Sequence, residues 1–566
     1  MKILKRVSAA ALLLASNLPA HAQQGSYPLE DEPPKLGAVA CESSVCSRIG
    51  TDLLKQGGNA VDAIVGAVLC VGTVGMYHSG IGGGGFMLVR SSDGSYETVD
   101  FREMAPAAAH RDMYEGNFDG SLYGGLASGV PGELRGLEYA HKKYGKLRWK
   151  DVVLPAAGLA RDGFTVSGDL ESAIKRVSPS DFLTEDPAWA IDFAPNRRLV
   201  QKGDTMTRKR YAATLEAIAE QGADAFYKGP IAEAMIAAVQ AANGSMTLDD
   251  LDNYTISHGD PIRMKYGNYT LTTVGAPSSG AVALSALNIL SGYPDFGDPE
   301  KTLVNTHRLV EAMKFAYGQR TVMGDPTYEP EVADLVANMT NPDTGDKIRA
   351  KISDVRTHNA TYYEPQNLIS DDPAGTSHLS SADASGMSVS LTTTVNTLFG
   401  SQVMVPETGV VMNNQMDDFS VPGKDNAYGY APNPANYIKP GKRPLSSISP
   451  VIVEYADGGL YYTIGASGGS RIISATIQNL IHVLDHGMEV HKALAQPRLH
   501  DQLRPTETTF EWAYSNETVA YLESLGHNVT WVAPGSSVGQ GTRLLPNGTF
   551  EAAGEPRQED SGGFAV

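Results

Sequence analysis

Near residue 375 the sequence changes its period. From about Thr376 to Gly400 small polar residues alternate with Val and Leu, as in Met387-Ser-Val-Ser-Leu-Thr-Thr-Thr-Val395, and a period of two predicts strands. Further strands are expected at Gly409 to Met412, Val451 to Tyr455 and Leu460 to Ile464, with a helix from Arg471 to Leu484 covering them. Ahead of the change the period is helical: Ile49, Leu53, Leu54, Val61, Ile64 and Val65 recur at three and four, and Gly57-Gly58-Asn59 reads as a helix stop followed by a cap. Helical patterning returns around Ala212 to Gln221 and Ile231 to Ala242. No internal repeat is visible, so the chain reads as one α/β or α+β unit of layered sheets.

The N-terminus carries Lys2, Lys5 and Arg6, an apolar run from Ala9 to Ala15, and Ala20-His21-Ala22. That is the pattern of a secretory signal, with cleavage expected after Ala22. The apolar run is far short of the roughly 20 residues of a membrane span. The formal charge is −19, and without the signal 42 basic residues face 64 acidic ones. Binding to nucleic acid or an anionic membrane by counter-ion release is therefore excluded, and a small-molecule partner is expected. Eight N-x-S/T sequons, at Asn243, Asn253, Asn268, Asn338, Asn359, Asn516, Asn528 and Asn547, fit a eukaryotic secretory route. Of three cysteines, Cys46 and Cys70 flank a predicted helix and can pair in that compartment, leaving Cys41 odd; three buried thiols are the alternative.

The glycine cluster Gly80 to Gly85 runs into a strand at Phe86 to Val89. It lacks the G-x-G-x-x-G order and precedes a strand, so a dinucleotide site is not indicated. The thirteen histidines show no metal-ligand spacing, and His378 is expected to be structural. The loop from Asp425 to Lys442, rich in Asn, Pro, Tyr and Gly, is long enough to expect a functional role.

Chemistry concentrates at Asp371-Asp372-Pro373-Ala374-Gly375-Thr376-Ser377-His378. A threonine after a glycine, at the head of a strand, can be a latent N-terminal nucleophile. Cutting Gly375–Thr376 would give Thr376 an α-amine of pKa about 7.7 to 8.0, a general base beside its own hydroxyl. Gly375 is expected to let the backbone take the strained geometry that this attack requires.

Taken in order, GIGGGGFM, DFREMAP at Asp100 to Pro106, GTSHLS at Gly375 to Ser380, NNQMDDFS at Asn413 to Ser420, KRPLSSISP at Lys442 to Pro450 and GASGGSRII at Gly465 to Ile473 resemble the γ-glutamyltranspeptidase family. The resemblance runs from about Ala38 to the Gly554-Glu555-Pro556-Arg557 region. Pro432 to Lys442 looks like the animal and fungal branch, and Cys46 with Cys70 matches a disulfide of the animal enzymes. The family implies an α+β N-terminal nucleophile hydrolase, a four-layer αββα sandwich made as one precursor and self-cleaved into a large chain, 23–375, and a small chain, 376–566. Thr376 matches the nucleophile, and Thr394 the second threonine that bonds it and helps self-cleavage. Asn396, Gln415 and Asp418 match the groups that hold the substrate α-amine, Arg102, Ser446 and Ser447 those that hold its α-carboxylate, and Gly468 and Gly469 the oxyanion hole. Spacing alone does not choose between Asp417 and Asp418. Gln415 departs from the animal pattern, which has Glu.

The implied activity is γ-glutamyl transfer from glutathione and related compounds to water, amino acids or dipeptides, with no cofactor and no metal. A zwitterionic γ-glutamyl group suits a guanidinium fork and a counter-carboxylate, which Arg102 and Asp418 supply. An acylase of the same fold and a non-catalytic secreted homologue are the alternatives. The expected location is the secretory pathway, leading outside the cell or to the vacuole.

Overall fold

A computed structural model describes residues 35–177, 180–366, 368–369, 375–423 and 431–566. The expected signal, the leader up to residue 34 and part of the predicted 425–442 loop lie outside the described residues. Two antiparallel sheets are stacked face to face. The seven-stranded sheet runs, in order, Gly562–Ala565, Gly37–Cys41, Ser377–Asp383, Ser388–Thr394, Gly84–Arg90, Tyr96–Asp100 and Ser257–Gly259. The six-stranded sheet runs Phe550–Ala553, Val538–Leu544, Leu460–Ser467, Val451–Tyr455, Tyr269–Thr273 and Ile262–Tyr266. Both sheets thus draw strands from before and after residue 375, and the chain forms one layered unit rather than two domains in tandem.

The alternating pattern after Thr376 has an unusual reading in three dimensions, because both faces of Ser377–Asp383 and Ser388–Thr394 are buried. Leu379, Val389 and Leu391 join the core under the helices Ser44–Lys55 and Ala60–Val74. The small polar face turns to the other sheet. There Ser388 Oγ lies 2.6 Å from Thr463 Oγ1, Ser390 Oγ donates to the Ile464 carbonyl at 3.0 Å and Ser380 Oγ to the Gln540 carbonyl at 3.1 Å. Small hydroxyls let two sheets approach closely while their polar atoms stay satisfied. His378 belongs to this seam: Nδ1 meets Thr392 Oγ1 at 2.9 Å, Nε2 meets Ser380 Oγ at 3.0 Å, and burial pushes the ring down to about 3. It is a neutral structural histidine, as expected.

Helices form the outer layers. Gly280–Leu290, Thr302–Arg320 and Arg471–Leu484 pack on the six-stranded sheet. Ala60–Val74 starts where the glycine stop predicts, and Asn59 closes a capping box with Asp62. Cys46 and Cys70 form a disulfide joining this helix to Ser44–Lys55, while Cys41 is free, buried and pushed up to about 12 by burial. One predicted strand is absent: Gly409 to Met412 makes only a single bridge, Met404 to Val411. Gly409 turns there at φ +69, folding the segment back on its neighbour so that Val405 N–H donates to the Val410 carbonyl and Met412 N–H to the Val403 carbonyl.

Candidate active site

Thr376 heads a central strand of the seven-stranded sheet, and the register Ser377 to Thr393 sets it opposite Thr394 at the next step. The glycine run on the adjacent strand makes this pairing possible. A Cβ at Gly83 or Gly85 would overlap the carbonyl oxygens of Thr394 and Thr392. The Thr394 hydroxyl is the hub. It donates to the Gly375 carbonyl at 2.6 Å, accepts from the Asn396 N–H at 2.7 Å, and receives Thr376 Oγ1 at 3.4 Å. Asn396 reaches this position in the left-handed region, φ +78, and its side chain donates to the Asn414 carbonyl at 3.0 Å.

Gly375 serves differently from the expectation. It is not in the left-handed region; instead a Cβ there would overlap the Asn396 carbonyl oxygen. Its role is to let two backbones touch, not to adopt a strained φ. Because the Thr394 proton lies on the Gly375 carbonyl and one lone pair takes the Asn396 N–H, its other lone pair is left for Thr376. The hydroxyl can polarise the carbonyl and accept the attacking proton at once. Thr394→Val is expected to slow splitting at Gly375–Thr376 by about 10²-fold, the effect of removing one carbonyl donor. The half-time of chain conversion on a denaturing gel measures it, and an unchanged half-time would refute it.

A second cluster lies beside the first. Arg102, 1% exposed, forms an ion pair with Asp418 through Nη2, and its Nη2 and Nε donate to the carbonyls of Leu445 at 3.2 Å and Pro444 at 3.4 Å. Gln415 Nε2 donates to the same Asp418 oxygen at 2.5 Å. The geometry separates the two adjacent acids, since Asp417 accepts from Ser121 Oγ at 2.5 Å while Asp418 faces Arg102. Ser446 and Ser447 follow directly on the Arg102 carbonyl partners. Ser447 Oγ is buried without a hydrogen-bond partner among the described residues, and so can bond a ligand.

The third element is the corner between Leu460–Ser467 and Arg471–Leu484. Gly468 and Gly469 both take positive φ, +126 and +59. A Cβ at Gly468 would overlap the Ser536 carbonyl, so this corner requires glycine. No hydrogen bond among the described residues ties either glycine to Thr376. The loop after Asp418 closes the region through Asn436, which donates to the Asp418 carbonyl at 2.7 Å and accepts from Leu445 N at 3.0 Å.

Sequence reasoning missed Glu103. It is wholly buried, its Oε2 is 4.0 Å from Arg102 Nη1, and neither oxygen has a hydrogen-bond partner among the described residues. Burial, then the nearby Asp418 and Glu133 against the opposing pull of Arg102, pushes its carboxyl up to about 8. It is therefore protonated and neutral at pH 7. Its place in DFREMAP beside Arg102 was the one available signal, and adjacency alone does not reveal burial. Ionisation above pH 8 would put a second anion beside Arg102, in competition with a substrate carboxylate. The KM for an α-amino-acid donor is expected to rise roughly tenfold between pH 7 and 9, and Glu103→Gln to flatten the rise. An identical KM profile in both proteins would exclude this role. The same shift costs stability as pH climbs from 4.5 to 8, where the folded state holds a proton the unfolded chain has lost.

Among the described residues His307, Glu311 and His527 bring three possible metal-ligand atoms together. Their ring nitrogens are already engaged: His307 Nδ1 with His527 Nε2 at 2.8 Å, His307 Nε2 with the Ser353 carbonyl at 2.7 Å, and His527 Nδ1 with Lys314 Nζ at 3.1 Å. The lysine ammonium supplies the cation of that network.

Helices outside two stacked antiparallel sheets, with a threonine leading a central strand directly after a glycine, define an N-terminal nucleophile hydrolase. Over its full length the chain superposes on a cephalosporin acylase from Bacillus halodurans with a TM-score of 0.82, at 25% identity, covering 97% of this chain and 99% of that one. The gamma-glutamyltranspeptidase profile matches residues 46–565, and the chain belongs to that family. It is 50% identical to a glutathione hydrolase proenzyme of Arthroderma benhamiae over 99% of this chain and 96% of the relative. It is 47% identical to a glutathione hydrolase of Aspergillus flavus over 95% and 90%.

Proposed function

We propose that this chain is a γ-glutamyltransferase and glutathione hydrolase that matures by cutting itself before Thr376. The observation that carries the reading is the buried Arg102–Asp418 pair beside the Thr376–Thr394 couple. A guanidinium and a carboxylate that neutralise each other can exchange partners with the α-carboxylate and α-ammonium of one γ-glutamyl group, so neither charge is left buried alone. The full-length fungal relatives named glutathione hydrolase support the same substrate.

In maturation Thr376 Oγ attacks the Gly375 carbonyl carbon while Thr394 polarises its oxygen. The C–N bond breaks, the α-amine takes the proton, and water hydrolyses the resulting ester to a Gly375 carboxylate and a free Thr376. In turnover the same Oγ attacks the γ-glutamyl amide, the α-amine accepts its proton, and the leaving amine departs protonated. Gly468 and Gly469 donate N–H groups to the oxyanion. The ester then passes to water, an amino acid or a dipeptide, a ping-pong course. Asn396, Gln415 and Asp418 hold the ammonium, and Arg102, Ser446 and Ser447 the carboxylate. The working form is a heterodimer of 23–375 and 376–566, roughly 37 and 20 kDa before glycans by length proportion, reached through the secretory pathway after loss of residues 1–22. No helix of the described residues is long and apolar enough to cross a membrane.

The full-length likeness to a cephalosporin acylase favours a second reading, an acylase. That activity does not need an ammonium site, so a γ-glutamyl amide and the glutaryl amide that lacks the α-amine separate the two. Denaturing electrophoresis of the purified protein, N-terminal sequencing of the smaller chain and release from both amides form the test. A single uncut band, with no release from either amide, would leave a non-catalytic homologue.

A further inference from the structure

The segment that leads into the cut site is held by a buried ion pair. Arg504 and Glu364 are each 3% exposed, and Arg504 Nη1 lies 2.7 Å from Glu364 Oε2. The pair is wired into the backbone of the segment. Arg504 donates to the carbonyls of Glu364 at 3.3 Å and Leu368 at 3.2 Å. The Glu364 carboxylate accepts from Gln366 N at 2.6 Å and Leu368 N at 3.0 Å. Leu368 and Ile369 also pair in parallel with Ala431 and Pro432. On the far side Gln502 Nε2 donates to the Arg504 carbonyl at 2.8 Å. Gln502 Oε1 in turn accepts from Ser470 Oγ, in the residue after Gly469. Arg504 thus joins the end of the large-chain sequence to the Gly468–Gly469 corner of the small-chain sequence.

We propose that Arg504 and Glu364 are positioning residues for self-cleavage. They fix the backbone at Glu364, Gln366 and Leu368, while the Thr394 hydroxyl holds the Gly375 carbonyl beside Thr376, so the chain is anchored on both sides of the intervening run. Anchoring matters because an acyl shift within one chain depends on the approach of oxygen to carbonyl carbon, and a misplacement of about 1 Å can cost about 10²-fold. Neither residue hydrogen-bonds Thr376, Thr394, Arg102 or Asp418 among the contacts described, and Arg504 reaches the Gly468–Gly469 corner there through two intervening side chains, Gln502 and Ser470, so the larger effect is expected on cleavage and the smaller on turnover. The inference rests on the self-cleavage reading above.

The test compares two rates in one protein. Glu364→Gln keeps an acceptor but removes the charge, and the double change Glu364→Gln with Arg504→Met removes both charges and strands neither. Each is expected to lengthen the half-time of conversion to two chains at least tenfold. The cleaved fraction, purified and counted by its free N-terminal threonine, is expected to turn over a γ-glutamyl amide with kcat/KM within twofold of the parent. Conversion at the parental rate in both variants overturns the proposal. Equal losses in conversion rate and in kcat/KM per cleaved molecule also overturn it, since they mark a general packing role. If the parent chain itself does not split before Thr376, the underlying reading fails instead.

Discussion

The Thr376→Ala variant is expected to remain one chain and to lose at least about 10³-fold in γ-glutamyl amide turnover. One oxygen serves two reactions, because the Thr376 hydroxyl that meets Thr394 at 3.4 Å next to the Gly375 carbonyl is also the group a substrate amide would meet once the α-amine is free. Alanine removes the nucleophile without disturbing the strand, since Ser377 to Asp383 pair through backbone groups. The residue is nearly buried, at 9% exposure, and alanine fits the space threonine leaves. Denaturing electrophoresis and the release of a chromogenic amine read the two losses separately. Thr376→Ser keeps the oxygen and is expected to retain both activities at reduced rate. A Thr376→Ala protein that still yields two chains would place the nucleophile elsewhere.

The parts of this fold that the sequence reveals are those that depend on neighbours along the chain. The helix stop at Gly57-Gly58, the cap at Asn59 and the helix Arg471–Leu484 follow from local geometry, and all three are found. The strand at Gly409 to Met412 is reduced to a single bridge because the chain folds straight back on Val403 to Val405 across a tight turn at Gly409, φ +69, and that short pairing joins neither sheet. The alternation after Thr376 is read correctly as strands. Its polar face, however, meets a second sheet that only the three-dimensional stacking provides.

The site divides in the same way. Thr376, Arg102 and Gly468-Gly469 stand out by residue type and motif. Glu103, Arg504 and Glu364 do not, because their importance comes from burial and from partners far away in sequence. Asp417 and Asp418 make the point most sharply. The two acids are neighbours in the chain, yet one is claimed by Ser121 and the other by Arg102, and no sequence period encodes that choice.

Arg102→Lys is expected to lower kcat/KM for γ-glutamyl amides by about 10²- to 10³-fold, roughly 3–4 kcal/mol, mostly through KM. Lysine retains a positive charge for Asp418, so no uncompensated anion is buried and the fold survives. What it loses is the fork. Arg102 reaches Asp418, the Leu445 carbonyl and the Pro444 carbonyl from one plane, and an ammonium offers neither that reach nor a bidentate face for a carboxylate. Chain splitting is expected to proceed at the parental rate, because Arg102 makes no hydrogen bond to Gly375, Thr376 or Thr394 among the described contacts. The variant would therefore show the opposite phenotype to Glu364→Gln, with fast maturation and poor substrate capture rather than slow maturation and normal capture. Measuring conversion half-time and kcat/KM on both proteins tests the division of labour directly. A normal KM in Arg102→Lys would remove this arginine from the substrate carboxylate. A stalled conversion would place it in the cutting step, where the geometry gives it no part.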